Sequence, residues 1–217
     1  MHESCGVFGI YAPDEDVARL TFFALFALQH RGQESAGIAT TNGKKLQVYA
    51  EMGLVSQVFS EDSLSQLTGD IAIGHTRYST RGSSRIINAQ PMVVGKDSDS
   101  FAVAHNGNIV NAKHLYDELT NKGYTFRSST DTEVIANLIY SSPEKNLVDK
   151  IRYAMRRLQG AYSLTILTNH ALFGVRDPFG VRPLCLGTIN GGHVIASESC
   201  ALDHIGASFV REIEPAR

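Results

Sequence analysis

The sequence predicts an α+β fold built from antiparallel sheets covered by helices. Three observations carry this. Short apolar segments of strand length crowd both ends of the chain. Turn signals of the hairpin kind, Asn42-Gly43 and Asn190-Gly191-Gly192, separate neighbouring members of those groups. Helical patterns fall between the groups and do not alternate with strands one by one, as a parallel sheet would require.

Cys5–Tyr11 (CGVFGIY) carries no charge and stops at Ala12-Pro13-Asp14, which makes it a buried strand. Asp16 to Leu28 is helical. Val17, Leu20, Phe22, Phe23, Leu25, Phe26 and Leu28 cover most of its circumference, predicting a largely buried helix. Gly37–Thr41 and Lys45–Ala50 flank Asn42-Gly43 as a hairpin. Ile71–His75 and Phe101–His105 are further strands, each ending in a polar cluster. Asn111 caps a helix that runs to Asn121 and closes at Gly123. Thr130-Asp131-Thr132-Glu133 has the form of a capping box, opening a helix that ends near Ser141. A more polar helix spans about Leu147–Leu158. Strands recur at Ala161–Thr168, Ala171–Arg176, Pro183–Gly187, Val194–Ser197 and Phe209–Ile213. The end, Arg211 to Arg217, follows a strand with no capping helix and reads as the edge of a longer protein.

With 217 residues and no repeat, low-complexity stretch or linker, one large domain is expected. Hydrophobic residues make up 43% and charged residues 19%, values typical of soluble globular proteins. A formal charge of −2 provides no basic field for nucleic acid or an anionic membrane. The opening MHESCGVFGI lacks the basic and long apolar regions of a secretory signal. Three cysteines, Cys5, Cys185 and Cys200, are too few and too scattered for a disulfide framework or a zinc site. A reducing, cytoplasmic setting is the expectation.

Four segments carry potential chemistry. Cys5 opens a buried strand close to the N-terminus; position alone serves a small core residue as well as a nucleophile. His75-Thr-Arg77-Tyr-Ser-Thr80-Arg-Gly82 follows a strand and is expected on a loop, where Arg77 is suited to bidentate binding of a carboxylate. A solvated basic loop is the plainer account. Ala104-His105-Asn106-Gly107-Asn108 also ends a strand. Asn106 offers an amide donor and Gly107 an unobstructed backbone N–H, the two donors an oxyanion hole requires, although Asn-Gly is equally a common turn. Asp131, at a helix start, either stabilises the helix or binds an ammonium group.

In this order the segments resemble the class II glutamine amidotransferase domain, an N-terminal-nucleophile hydrolase. The likeness rests on Cys5-Gly-Val-Phe-Gly-Ile10, Leu28-Gln-His-Arg-Gly-Gln33 with Ser35-Ala-Gly-Ile38, Gly74-His-Thr-Arg-Tyr-Ser-Thr80, Ala104-His-Asn-Gly-Asn108 and Thr130-Asp-Thr-Glu133. Arg176-Asp-Pro-Phe-Gly-Val-Arg-Pro-Leu184 and Ala196-Ser-Glu-Ser-Cys-Ala-Leu202 are similar to the phosphoribosyl branch of that class. The aminosugar branch would carry Tyr at His30 and Trp at Tyr78.

The resemblance implies a four-layer αββα sandwich and definite roles. Cys5 attacks the side-chain amide of glutamine, with its own α-amino group as base once residues 1–4, a propeptide, are removed. Asn106 and the Gly107 N–H hold the oxyanion. Arg77 takes the substrate α-carboxylate and Asp131 its α-ammonium. Tyr78 to Gly82 form part of a loop over glutamine, with Thr80 among its contacts, and Arg31 supports the nucleophile. Residues 5–217 then make up the amidotransferase domain. The ammonia would serve phosphoribosylamine formation, the first step of purine synthesis, in a C-terminal phosphoribosyltransferase domain of which this sequence carries no motif. No cofactor is expected here; full-length relatives use magnesium, and some hold a 4Fe–4S cluster whose ligands would lie beyond residue 217. Cys185 and Cys200 are expected in or just below the core, and His30, His75 and His105 in local hydrogen bonds rather than on a metal. Assembly of identical chains is compatible with the family. Two rival readings retain parts of the pattern: a non-catalytic amino-acid-binding domain, and an N-terminal-nucleophile amidase for another amide.

Overall fold

The computed structural model describes residues 5–78, 85–96 and 99–215. Its centre is a pair of stacked antiparallel sheets. The first contains β1 (Gly6–Tyr11), β2 (Ser35–Thr41), β3 (Leu46–Met52), β4 (Ile71–Arg77), β9 (Cys185–Ile189), β10 (Gly192–Ala196) and β11 (Ser208–Glu212). They lie in the order β11-β9-β10-β1-β4-β2-β3. The second contains β5 (Met92–Val94), β6 (Phe101–Ile109), β7 (Gly160–Leu167) and β8 (Leu172–Arg176), side by side in chain order.

Helices close both outer faces. The first sheet is covered by α1 (Val17–Ala27), α2 (Val55–Val58), α3 (Glu61–Ser65) and α7 (Ser199–His204), and the second by α4 (Ala112–Asn121), α5 (Asp131–Tyr140) and α6 (Leu147–Met155). Strand alternation divides the core accordingly. On β1, Val7 joins Ile73, Ala102, Ala104 and Leu167 between the sheets, whereas Phe8 and Ile10 pack under Leu25 and Leu28 of the α1 side. Burial on both faces explains why β1 reads as a continuous apolar run instead of an alternating one. The expected αββα sandwich is therefore the architecture.

The predicted hairpins are present: β2 pairs β3 across Asn42-Gly43, and β9 pairs β10 across Asn190-Gly191. Other expectations need correction. The α1 helix is only half buried, with Phe23 46% and Phe26 49% exposed. Its buried face packs on β1, β4 and α7. Phe23 and Phe26 lie outside it, against the His204 ring of α7. At α5, Thr130 caps as predicted, its Oγ1 accepting from the Glu133 N–H at 3.4 Å. The Glu133 carboxylate instead accepts from the N–H groups of Arg127 and Ser128. The Asn111 side chain joins α4 to the end of α6, donating to the Arg157 carbonyl and accepting from the Gln159 N–H. Four short elements, α2, α3, β5 and α7, were not predicted; none has enough residues to display a period.

No helix among the described residues is long and apolar enough to cross a membrane.

Candidate active site

One end of the first sheet brings the nucleophile candidate against β4. In the β1–β4 ladder Gly6 lies opposite Thr76, which places Cys5 beside Arg77 and Tyr78. The Cys5 sulfur is bracketed by the Tyr78 backbone: the Tyr78 N–H donates to Sγ at 3.4 Å, and the thiol donates to the Tyr78 carbonyl at 3.5 Å. Burial pushes the Cys5 thiol above its ordinary range. The Tyr78 hydrogen bond and the Arg77 charge oppose that rise, Asp131 adds to it, and Arg31 opposes it. A thiol so placed needs a base to become a thiolate.

His75 and Arg77 are not on a loop, as the sequence suggested, but within β4, where both are buried. The error has a physical source. Along β4 the residues Ile71, Ile73, His75 and Arg77 share the face turned to the second sheet, and that face changes from apolar to polar as it nears Cys5. Arg77 is fixed by an ion pair from Nη1 to Glu34, a residue sequence reasoning passed over. Glu34 also donates its backbone N–H to the Arg77 carbonyl at 3.0 Å. Ser35 is opposite Arg77 in the ladder, which is why Glu34 arrives at that guanidinium.

The second sheet contributes the remaining groups. Asn106 and Gly107 are likewise inside a strand, β6, and not in a terminal turn. Asn106 is fully buried, and its Nδ2 is 3.5 Å from Ser163 Oγ. Gly107 has φ +150°, and a Cβ there would lie 2.1 Å from the Ala161 carbonyl oxygen on β7. Glycine is therefore needed for the approach of two strands, a reason additional to ligand access. Asp131 begins α5; its Oδ2 accepts from the Ile109 N–H at 3.0 Å, and its Oδ1 lies 3.5 Å from His105 Nδ1. Burial works against ionisation of Asp131, but His105 and the Ile109 N–H outweigh it and hold the carboxyl below the usual range. It stays an anion, as an ammonium partner must. A hollow of about 240 Å³ opens beside Asp131, lined among others by Lys113, Tyr116 and Ser129.

One buried link joins the sheets at this point: His75 Nε2 donates to the His105 carbonyl at 3.0 Å. The His105 N–H donates to Gln90 Oε1 at 2.7 Å, tying β6 to the segment before β5. Arg31, the expected support, donates from Nε to the Cys5 carbonyl at 3.0 Å and pairs with Glu198 through Nη1. Tyr78 is at the surface. Thr80, the rest of the loop to Gly82, and residues 1–4 lie outside the described residues.

Cys185 is buried as expected, and its thiol donates to the Ala196 carbonyl. Cys200, His30 and Glu198 bring a thiol, an imidazole and a carboxylate within 4.8 Å of one another, a group the wide sequence separation conceals. The Arg31 cation on the same carboxylate opposes a dication there, and the arrangement is that of an ion-pair cluster.

The profile of the "Glutamine amidotransferase domain" family matches residues 75–204, from within β4 to the end of α7. The chain belongs to that family. It is 52% identical to an amidophosphoribosyltransferase of Synechococcus elongatus, over 98% of this chain and 44% of the relative. One from Methanocaldococcus jannaschii is 48% identical, over 97% and 45%. Among solved structures, the Bacillus subtilis glutamine phosphoribosylpyrophosphate amidotransferase complexed with ADP and GMP superposes with a TM-score of 0.91 at 44% identity, covering 97% of this chain and 46% of that one. This glutamine amidotransferase domain thus spans somewhat less than half the length of the relatives it matches.

Proposed function

We propose that this domain hydrolyses glutamine to glutamate and ammonia through Cys5. The observation that carries the reading is the meeting at one sheet end of the Cys5 thiol, Arg77 and Asp131. The β1–β4 register sets Cys5 beside Arg77, and Asp131 is bonded to the Ile109 N–H at the end of β6, the strand that carries Asn106 and Gly107. A cation and an anion flanking a nucleophile suit a free α-amino acid, whose carboxylate and ammonium they would take. A simple amide has no charged α-groups to engage the two side chains.

In this mechanism Cys5 first becomes the N-terminus. Its sulfur attacks the Ser4 carbonyl, the acyl group moves from nitrogen to sulfur, and water hydrolyses the thioester to release residues 1–4. The freed α-amine then removes the thiol proton, which a peptide nitrogen cannot do because its lone pair is delocalised. The thiolate adds to the glutamine side-chain carbonyl. The oxyanion accepts from Asn106 Nδ2 and the Gly107 N–H. Collapse expels ammonia, which takes the proton held on the α-amine, and leaves a γ-glutamyl thioester. Water activated by the same amine releases glutamate and restores the thiol.

In the longer relatives' context, we propose that residues 5–217 form the ammonia-supplying half of an amidophosphoribosyltransferase of purine synthesis in the cytoplasm. A C-terminal phosphoribosyltransferase domain would consume the ammonia, and magnesium and any iron–sulfur cluster would belong to that half. The test is glutamate release by purified protein that begins at Cys5. Activity on glutamine, absence of activity on asparagine and simple amides, and loss in Cys5→Ala are the expected results. Binding of glutamine without hydrolysis would replace this reading with a non-catalytic amino-acid-binding domain.

A further inference from the structure

The α-amine and thiol of Cys5 must keep a fixed relation to the substrate, yet Cys5 precedes the first paired residue of β1, Gly6. Once residues 1–4 are gone it has no upstream chain to hold it. Its carbonyl is held by Arg31, whose Nε donates at 3.0 Å, and the Arg31 side chain is nearly buried. A long cationic side chain under a nucleophile has two requirements of its own. It needs a partner that fixes its rotamer, and it needs a counter-charge.

Glu198 meets both. One carboxylate oxygen pairs with Arg31 Nη1; the other is 2.9 Å from His30 Nε2 and 3.6 Å from Cys200 Sγ. Burial works against the Glu198 carboxylate, but Arg31 and His30 outweigh it and keep it ionised. His30 is in turn oriented through Nδ1 and the Ala27 carbonyl, 3.0 Å apart at the end of α1. The chain of contacts therefore runs from α1 and the start of α7, through one carboxylate, to the nucleophile's own peptide group. We infer that Glu198 is a positioning residue for the reaction: it holds the Arg31 guanidinium against the Cys5 carbonyl and balances its charge.

This inference rests on the proposed hydrolysis, but one of its consequences can be read without hydrolysis. Among the described residues, the charges that act on Cys5 are Arg77, Asp131 and Arg31. Arg77 is balanced by Glu34, and Arg31 by Glu198, with His30 and Cys200 on the same carboxylate. Glu198→Gln keeps an oxygen for Arg31 and removes the negative charge. The unbalanced guanidinium then favours the Cys5 thiolate and disfavours the protonated amine.

The experiment follows the pH dependence of Cys5 alkylation by iodoacetamide, read by mass spectrometry on the Cys5 peptide and separately on the Cys200 peptide. In Glu198→Gln the Cys5 profile should move to lower pH by roughly half a unit or more. Kinetics on matured protein form the second arm. The acid limb of kcat/KM should shift the same way in Glu198→Gln. In Glu198→Ala kcat should fall by about tenfold or more with KM little changed, because the geometry of attack is lost while the α-groups still meet Arg77 and Asp131. Glu198→Asp should recover part of kcat. Superimposable Cys5 profiles for wild type and Glu198→Gln at equal Tm would overturn the inference, as would a Glu198→Ala variant that raises KM alone. A wild type that shows the alkylation difference but releases no glutamate would overturn the hydrolytic reading and leave the positioning of Cys5 standing.

Discussion

His75 Nε2 donates to the backbone carbonyl of His105 at 3.0 Å, so a side chain from one sheet directly holds the strand that carries Asn106 and Gly107 in the other. The imidazole is fully buried, and among the described residues no carboxylate is paired with it. Burial, with His105 and Arg77 nearby, pushes His75 down to about 3 from its ordinary 6.5. Above about pH 6.5 the folded and unfolded chains are both neutral at this position, and the group adds no pH dependence. Between about 6.5 and 3 the unfolded chain binds a proton that the folded chain refuses. Stability therefore falls as pH falls across that window, by up to about 1.4 kcal/mol per unit from this residue. In His75→Gln, which keeps an amide donor, urea midpoints between pH 6.5 and 4 should fall less steeply. Parallel pH slopes in the two proteins would refute the assignment.

Recognition of the α-groups should separate cleanly by variant. Arg77→Lys is expected to raise KM strongly, since a point-charge ammonium cannot reproduce a planar fork. Glu34→Gln should raise KM less, because it frees the Arg77 rotamer without removing its charge. Asp131→Asn should weaken glutamine binding by about 1.5–3 kcal/mol, the range for a charge-assisted hydrogen bond. Steady-state kinetics on glutamine decide; a fall in kcat alone for Asp131→Asn would move that residue from binding to chemistry.

The strands and long helices were legible because their periods are written in apolar residues: CGVFGIY declares β1, and Asn42-Gly43 declares the β2–β3 turn. The sequence named Cys5, Arg77, Asn106 and Asp131 as candidates one by one, but it did not show their setting. His75 and Arg77 look like loop residues because polarity at a strand end normally means exposure, whereas here a second sheet buries that face. Glu34 and Glu198 were passed over for a different reason. Each acts on an arginine far away in sequence: the β2–β4 register brings Glu34 to Arg77, and the packing of α7 beside α1 brings Glu198 to Arg31.

The two proposed oxyanion donors make different demands on the fold. Asn106→Gly should lower kcat by about 10²–10³ with KM little changed, as loss of one preorganised donor does. Gly107→Ala should act through the backbone as well. Its φ of +150° is unfavourable for an L side chain, and its Cβ would meet the Ala161 carbonyl at 2.1 Å. A destabilisation on the order of 1–3 kcal/mol is expected, with activity lost alongside. Calorimetry on both variants distinguishes them: Asn106→Gly should unfold nearer the wild type than Gly107→Ala. Equal Tm for Gly107→Ala and wild type would show that β6 and β7 can separate without cost.

Burial raises the Cys5 thiol, and the Tyr78 backbone is its hydrogen-bond partner. No histidine or carboxylate among the described residues is hydrogen-bonded to that sulfur, so the base is assigned to the amine that appears when the Ser4–Cys5 bond is cut. An α-amine of ordinary pKa, about 7.7–8.0, is in part unprotonated near neutral pH and so can accept the thiol proton. Active protein should therefore have the mass of a chain starting at Cys5. Cys5→Ala should retain Met1 to Ser4 and release no glutamate, because it lacks both the sulfur for the acyl shift and the nucleophile. Cys5→Ser should mature slowly and hydrolyse poorly, its hydroxyl being far harder to deprotonate. Intact mass and glutamate release measured on the same samples provide the check. Full activity in protein whose mass still includes residues 1–4 would mean that some other group takes the thiol proton.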